Sequence, residues 1–377
     1  MEIVKVQTRS QWRDFHRVPF RVYRDDPYWV PQLYLERKFH FSPSHNPYFE
    51  HAKAEFFLAY ENNEPVGRIT AQIDDLYLAR YNDATGHFGF IEAINDPALF
   101  AQLLATAEDW LRGQGMKRAV GPVSFSMWDQ PGLLVEGFDS PPYVLMGHAR
   151  PYFAPHIEAA GYRQAEDLLA YRYKIDIPAP VELRRIMQRA MQRGELRVRT
   201  LHQKEDLFLR DVELLRDIIN DAWSNNWGFV DMTKAEIDDI AGLLKHLLRP
   251  GDVAIAEYRG EPAAFAAIFP NVNEAIRDLN GRLLPFGWAK LLWRLKVRHP
   301  RTARMAMMGV RKAHQNSFIG AALALSVIES ASVFNRDHGV VEGEFSWVLE
   351  RNERVRQVIE WGGAIPYKRY RIYQKAL

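Results

Sequence analysis

The feature that most constrains the fold is that landmarks of the first half return, in the same order, in the second. Glu64-Pro65 within AEFFLAYENNEPVGRITAQID is echoed about two hundred residues later by Glu261-Pro262 within GDVAIAEYRGEPAAFAAIF. The strand Phe88 to Ala93 is echoed by Met305 to Val310, and each runs at once into a helix. Ala160-Gly-Tyr162 before the aromatic strand YRYKI returns as Gly362-Gly-Ala364 before KRYRIY. Chance produces any one of these echoes, whereas duplication produces all of them in one order. At 377 residues the chain is also too long for one ordinary core. The proline hinge Pro178 to Pro180 sets the boundary, giving domains 1–177 and 178–377.

Composition removes whole classes of function. Apolar residues make up 47% and charged residues 25%, as in a globular protein. A formal charge of +2 leaves no global field for nucleic acid, so any anion site is local. With no cysteine there is no disulfide scaffold, thiolate zinc site or cysteine nucleophile. The histidines are scattered and no acidic cluster has ligand spacing, so no metal site is expected. No apolar run at the N-terminus resembles a signal peptide, and no stretch is read as long enough to span a bilayer. The expected address is cytoplasmic.

The first fifty residues interleave aromatic, basic and proline positions, as in Asp26-Pro-Tyr-Trp-Val-Pro31. They read as a short helix near Ser10 to Tyr23, then an irregular segment whose aromatics cover one edge of the core. Lining a hydrophobic substrate groove is the alternative role. From Ala54 the pattern is period two, giving a hairpin that turns at Glu61 to Glu64. A strand follows over Gly86 to Ile94, then a helix from Pro97 to about Gly113 with Asp96 as N-cap. Asp129 and His148 fall on predicted loops; a lone histidine is usually structural, although its titration range suits a base.

Arg304 to Asn335 reads as a buried strand, a polar loop and a helix rich in Ala, Leu and Ile. Such a turn leaves backbone N–H groups unpaired at the helix start, where the dipole favours an anion. In the first half Glu92 and Asp96 oppose an anion there and Pro97 removes a donor. The second-half loop carries Arg311, Lys312 and His314 and no carboxylate. An insertion near 273–303 has no counterpart in the first half. It combines Leu283, Leu284, Phe286, Trp288, Leu291, Leu292, Trp293 and Leu295 with Arg282, Lys290, Arg294, Lys296 and Arg298. That is the composition of an interfacial helix or a lid over an acyl chain, and equally of an ordinary amphipathic core helix.

Strand, loop, helix, then a strand ending in Asn and a helix ending in Gly-Gly, resembles the acyl-CoA N-acyltransferase (GNAT) fold. Here it stands as a tandem α+β pair, and the resemblance implies in each domain a mixed, mostly antiparallel sheet flanked by helices. The family's loop pattern, Gln or Arg, two residues, Gly, one residue, Gly or Ala, reads Gln315-Asn316-Ser317-Phe318-Ile319-Gly320, with Phe318 at the first glycine. Asn352, Glu360 and Gly363 fit the next landmark, while Ile359 replaces the tyrosine that often acts as general acid. The tandem plan, the aromatic N-terminal segment and the insertion are similar to the GNAT-like bacterial ceramide synthases, which acylate a sphingoid base from an acyl thioester.

The resemblance implies acyl-CoA as co-substrate, held by Val310, Arg311, Lys312, Gln315 to Gly320 and Asn352. It implies a lipid or other amine as acceptor, peripheral contact with the inner membrane face, and no nucleic acid. Amide formation also needs a base and a proton donor. Glu342 and Glu344 project from one face of a strand and are the candidate bases, or salt-bridge partners of Arg304 or Arg311. Tyr367 and Tyr370 are the candidate donors. A peptide or amino-sugar amine is the alternative acceptor, and a non-catalytic acyl-CoA or lipid-binding protein the alternative class.

Overall fold

The computed structural model describes residues 1–175, 181–245 and 247–377, so the proline hinge at Pro178 to Pro180 lies outside the described residues. The chain forms two compact units. The first comprises Met1–Leu168, Ile276–Gly287 and Lys368–Leu377, and the second Leu169–Ala275 and Trp288–Tyr367.

In the first unit, strands β1 (Glu2–Lys5), β2 (Ala52–Glu61), β3 (Glu64–Asp74) and β4 (Thr85–Ala93) are antiparallel neighbours. The β2–β3 turn places Asn62 and Asn63 at positive φ, the two-residue hairpin geometry that asparagine tolerates. β5 (Arg118–Gly121) then pairs parallel to β4, over Thr85–His87 only. β6 (Leu133–Glu136) and β5 both pair antiparallel to the chain's last strand within Lys368–Ala376. Helix α1 (Arg9–Val22) and helix α2 (Pro97–Gly113) pack on this sheet. Asp96 caps α2, its Oδ1 accepting from Ala98 N–H at 2.8 Å and Leu99 N–H at 3.2 Å. That carboxylate occupies the position an anion would take. The N-terminal aromatics divide: Phe15, Tyr23, Phe41 and Tyr48 are core, while Phe20, Trp29 and Tyr34 line a cavity.

The second unit repeats the plan. Leu169–Lys174 is the unit's part of β7 (Arg163–Lys174), and β8 (Leu196–Thr200), β9 (Val253–Tyr258) and β10 (Glu261–Pro270) follow in sequence. β11 (Thr302–Val310) and β12 (Glu342–Leu349) come next. The sheet order is β8–β9–β10–β11–β12–β7. Its hairpin turns on Arg259 and Gly260, again both at positive φ. The pairing of β11 with β10 slips between Ala267 and Ile268, as β4 slips against β3 between Arg68 and Thr70. Each slip places a bulge on the strand that has a parallel neighbour, so the duplication extends to a local irregularity. The helices of this unit include α3 (Glu205–Trp223), α4 (Phe318–Asp337) and α5 (Glu353–Trp361).

α4 corrects one expectation, because its length and composition are sufficient to cross a bilayer. Packing accounts for that apolarity. Ala322, Leu323, Val327 and Ala331 join the core with Ala264, Ala266 and Ile268 of β10, and Asn335 on the same helix is buried and bonded to Arg249 at 3.1 Å.

Candidate active site

Parallel strands β11 and β12 pair from Thr302–Glu342 to Met305–Phe345. Pairing ends there although the strands continue to Val310 and Leu349, which opens an edge of β11. Arg311 N–H bonds Ala263 O on the β10 side. By two-residue alternation, the N–H and C=O of Met308 and Val310 therefore point toward the open edge. Two side chains reach the carbonyls: Trp223 Nε1 donates to Met308 O at 2.8 Å, and Gln315 Nε2 donates to Val310 O at 2.8 Å.

A buried polar cluster stands where the strands part. Arg304 and Glu344 are 1% and 0% exposed and lie 3.8 Å apart, Nε to Oε1. Ser346 joins them, its hydroxyl donating to Glu344 Oε1 at 2.6 Å and accepting from Arg304 Nε at 2.8 Å. Tyr367 donates to the other carboxylate oxygen, Oε2. The Arg304 guanidinium also lies 4.3 Å from the Trp347 ring centroid. Glu344 thus has a partner on each oxygen, and an enclosed carboxylate needs such partners to remain charged. Glu342 is only half-buried and pairs with Arg172 at 3.4 Å, whose guanidinium lies over the Tyr367 ring. Tyr370 is fully buried in the first unit, opposite Leu134 of β6.

Beyond Val310 the chain turns through 311–317 into α4. Ser317 caps the helix, accepting from Gly320 N–H at 3.0 Å, and Asn316 sits at positive φ. Among the described residues, the N–H groups of Asn316, Ser317, Phe318 and Ile319 meet no acceptor, leaving a run of donors at a helix start. Gly320 is dictated by space: a Cβ there would stand 2.1 Å from His314 O. Phe318, at the family's first glycine, is 78% exposed, so its ring extends into solvent.

Helix α3 supplies two carboxylates that the loop itself lacks. Asp217 pairs with Arg311 at 2.5 Å, and Asp221 accepts the Lys312 N–H at 2.7 Å. Lys312 Nζ is 3.3 Å from Asn225 Oδ1. The loop is therefore organised from outside, with its first N–H and its arginine engaged and its later N–H groups presented. Asn352 caps α5, accepting from Val355 N–H at 3.3 Å.

No protein-family model matches the chain. A protein of Caulobacter vibrioides (strain NA1000 / CB15N) named "Bacterial ceramide synthase" is 42% identical over 381 residues, covering 100% of this chain and 98% of its own. The chain belongs to the bacterial ceramide synthase family. "Protein YghO" of Escherichia coli (strain K12) is 42% identical over 370 residues, 98% of this chain and 94% of its own. Among solved structures, a tandem GNAT protein from the clavulanic acid biosynthesis pathway superposes with a TM-score of 0.57 at 13% identity, covering 100% and 98% of the two chains. The fold of this ceramide synthase family member is thus a tandem GNAT fold, and the chain is an N-acyltransferase of that superfamily. Where GNAT helices often carry a tyrosine, this one has Ile359, which is buried in the core. A different hydroxyl stands beside α5: Tyr171 OH donates to Glu360 at 2.8 Å and accepts from Arg356 Nε at 3.1 Å.

Sequence reading did not single out Trp223, Asp217, Asp221, Ser346 or Tyr171. Each meets its partner only through the fold, from helix α3, from a register position or from strand β7, and none forms a local motif.

Proposed function

We propose that the chain transfers an acyl group from acyl-CoA to the nitrogen of a long-chain, sphingoid-type amine. The observation that carries this reading is the full-length 42% identity to a protein named for that product. The second unit is the acyl-CoA unit in this account. Pyrophosphate binds the N–H groups of Asn316, Ser317, Phe318 and Ile319 at the start of α4, with Lys312 nearby. The pantetheine arm follows the open edge of β11, donating to and accepting from Met308 and Val310. Glu344 positions the Tyr367 hydroxyl at the closed end. The first unit, whose corresponding helix start is filled by Asp96, provides the amine site.

The acceptor is long-chained, which places the enzyme at a lipid surface. Leu284, Phe286, Trp288, Leu292, Trp293 and Val297 are each at least half exposed within one stretch of chain. From Gly281 to Ala303 there is no Asp or Glu, while Arg282, Lys290, Arg294, Lys296, Arg298 and Arg301 are all basic. Exposed tryptophan and leucine in a stretch that carries six basic residues and no carboxylate suit the face of an anionic bilayer. Release of free CoA thiol on mixing acyl-CoA with a panel of amines tests the reaction. Release with a sphingoid base is expected, and release only with peptide or amino-sugar amines overturns the acceptor.

A further inference from the structure

The first unit holds a cavity along β4, on the stretch that continues past its short parallel pairing with β5. Its lining includes Phe90 and Glu92 of β4, the aromatics Phe20, Trp29 and Tyr34, and His148. The His148 side chain is 3% exposed and its Nε2 lies 2.9 Å from Asp26 Oδ2. A carboxylate only accepts, so Nε2 carries the hydrogen and Nδ1 carries a lone pair. That Nδ1 is buried and meets no hydrogen-bond partner. Asp26 is itself fixed, by Tyr28 N–H at 2.9 Å and by Arg150 at 3.4 Å. An oriented imidazole with an unanswered acceptor on a cavity wall is arranged to receive a hydrogen from a ligand.

We propose that this cavity is the amine site, and that His148 Nδ1 takes the proton of the ammonium that enters it. The proposal deepens the long-chain amine reading above. In the step, the ammonium nitrogen gives one proton to Nδ1 and keeps its electron pair, becoming the neutral amine that can attack a thioester. His148 becomes an imidazolium, compensated by the Asp26 carboxylate.

The charges around the site support the neutral amine. Asp26, Glu36 and Glu92 stand against Arg37, Arg68 and Arg150, in the pairs Arg68–Glu92, Arg37–Glu36 and Arg150–Asp26. Burial, and then the Lys368 and Arg150 cations, lower the His148 pKa against the Asp26 hydrogen bond, so the resting imidazole is neutral; His16, also in the lining, is held neutral near pH 7 by burial, with its pKa lowered to about 4. A balanced to slightly positive surround has no surplus carboxylate to retain an ammonium, while the Asp26 carboxylate against Nε2 compensates the proton once it is on His148. Arg37 Nη1, buried without a hydrogen-bond partner, offers a donor to a hydroxyl or carbonyl oxygen of the same head group. The aromatic wall accommodates the adjoining chain.

The test pairs binding with turnover. Calorimetric titration with dodecylamine, and with dodecanoate as the anion of equal chain length, is run on the wild type and on His148→Gln and Asp26→Asn. Asp26→Asn leaves the imidazole in place, so the test survives if His148→Gln does not fold. The expected result is amine binding weakened by about tenfold or more in either variant, with little change for dodecanoate. Loss of the acidic limb from the pH profile of thiol release is expected as well. No dodecylamine binding to the wild type, or binding and pH profile unchanged in folded variants, overturns the proposal. Amine binding that depends on His148 without thiol release from any amine instead removes the long-chain acceptor reading and leaves the site standing.

Discussion

Arg304 and Glu344 face each other across β11 and β12 in the last register pair but one before pairing ends, and both are almost completely buried. A charge pair at that position fixes where the strands separate, because neither partner can follow its own strand into the opening without leaving the other unpaired in the interior. Ser346 and Tyr367 complete the cluster and hold the carboxylate from both sides.

Breaking that pair from one side leaves a buried charge without its partner. Arg304→Met or Glu344→Gln alone is expected to cost roughly 3–5 kcal/mol in urea unfolding, and the double substitution to recover most of it. Recovered stability without recovered turnover would assign Glu344 a role in the reaction beyond anchoring.

Gly320 was legible in the sequence, but for a different reason from the one that matters. The family pattern admits Gly or Ala there, whereas the structure requires glycine because of the chain's own His314 carbonyl. Gly320→Ala is expected to cost about 1–3 kcal/mol and to weaken CoA binding together, since the loop backbone has to move. Gly242→Ala, on a helix where an added Cβ meets nothing within 4 Å, is the control and is expected to be neutral or slightly stabilising.

The elements themselves were readable because their signals are local. Period-two alternation gave the first hairpin, its echo at Glu261-Pro262 gave the second, and Asp96-Pro97 gave the start of α2. Partners set by the sheet were not readable. Nothing near residue 310 announces that Trp223 bonds Met308 O, or that Asp217 and Asp221 engage Arg311 and Lys312. The strand after Gly363 was legible as a strand, but not that Tyr373 pairs with Gly121 of the first unit. Alternation fixes which face a side chain takes and says nothing about which strand lies beside it.

Acid should destabilise the first unit through its buried histidines. Burial lowers His87 and His16 from 6.5 to about 4. Between those values the unfolded chain binds protons that the folded chain refuses, so stability falls as pH falls through that window. Urea unfolding at about pH 7 and about pH 5 should show the loss, and a flat profile would contradict it.

Contact with a bilayer is expected to depend on the exposed rings and on the basic residues of the 282–301 stretch. Wild-type protein is expected to co-sediment with vesicles containing phosphatidylglycerol, less with phosphatidylcholine alone, and less at high salt. Trp288→Ser with Trp293→Ser should abolish co-sedimentation while leaving the unfolding midpoint nearly unchanged, since both rings are about half exposed.

The most direct test of the account is free thiol released from a long-chain acyl-CoA in the presence of a sphingoid base, with the product identified by mass spectrometry. The expected result is thiol release matched by an N-acylated amine, and reduced by Gly320→Ala. Tight acyl-CoA binding with no thiol release from any amine would contradict it.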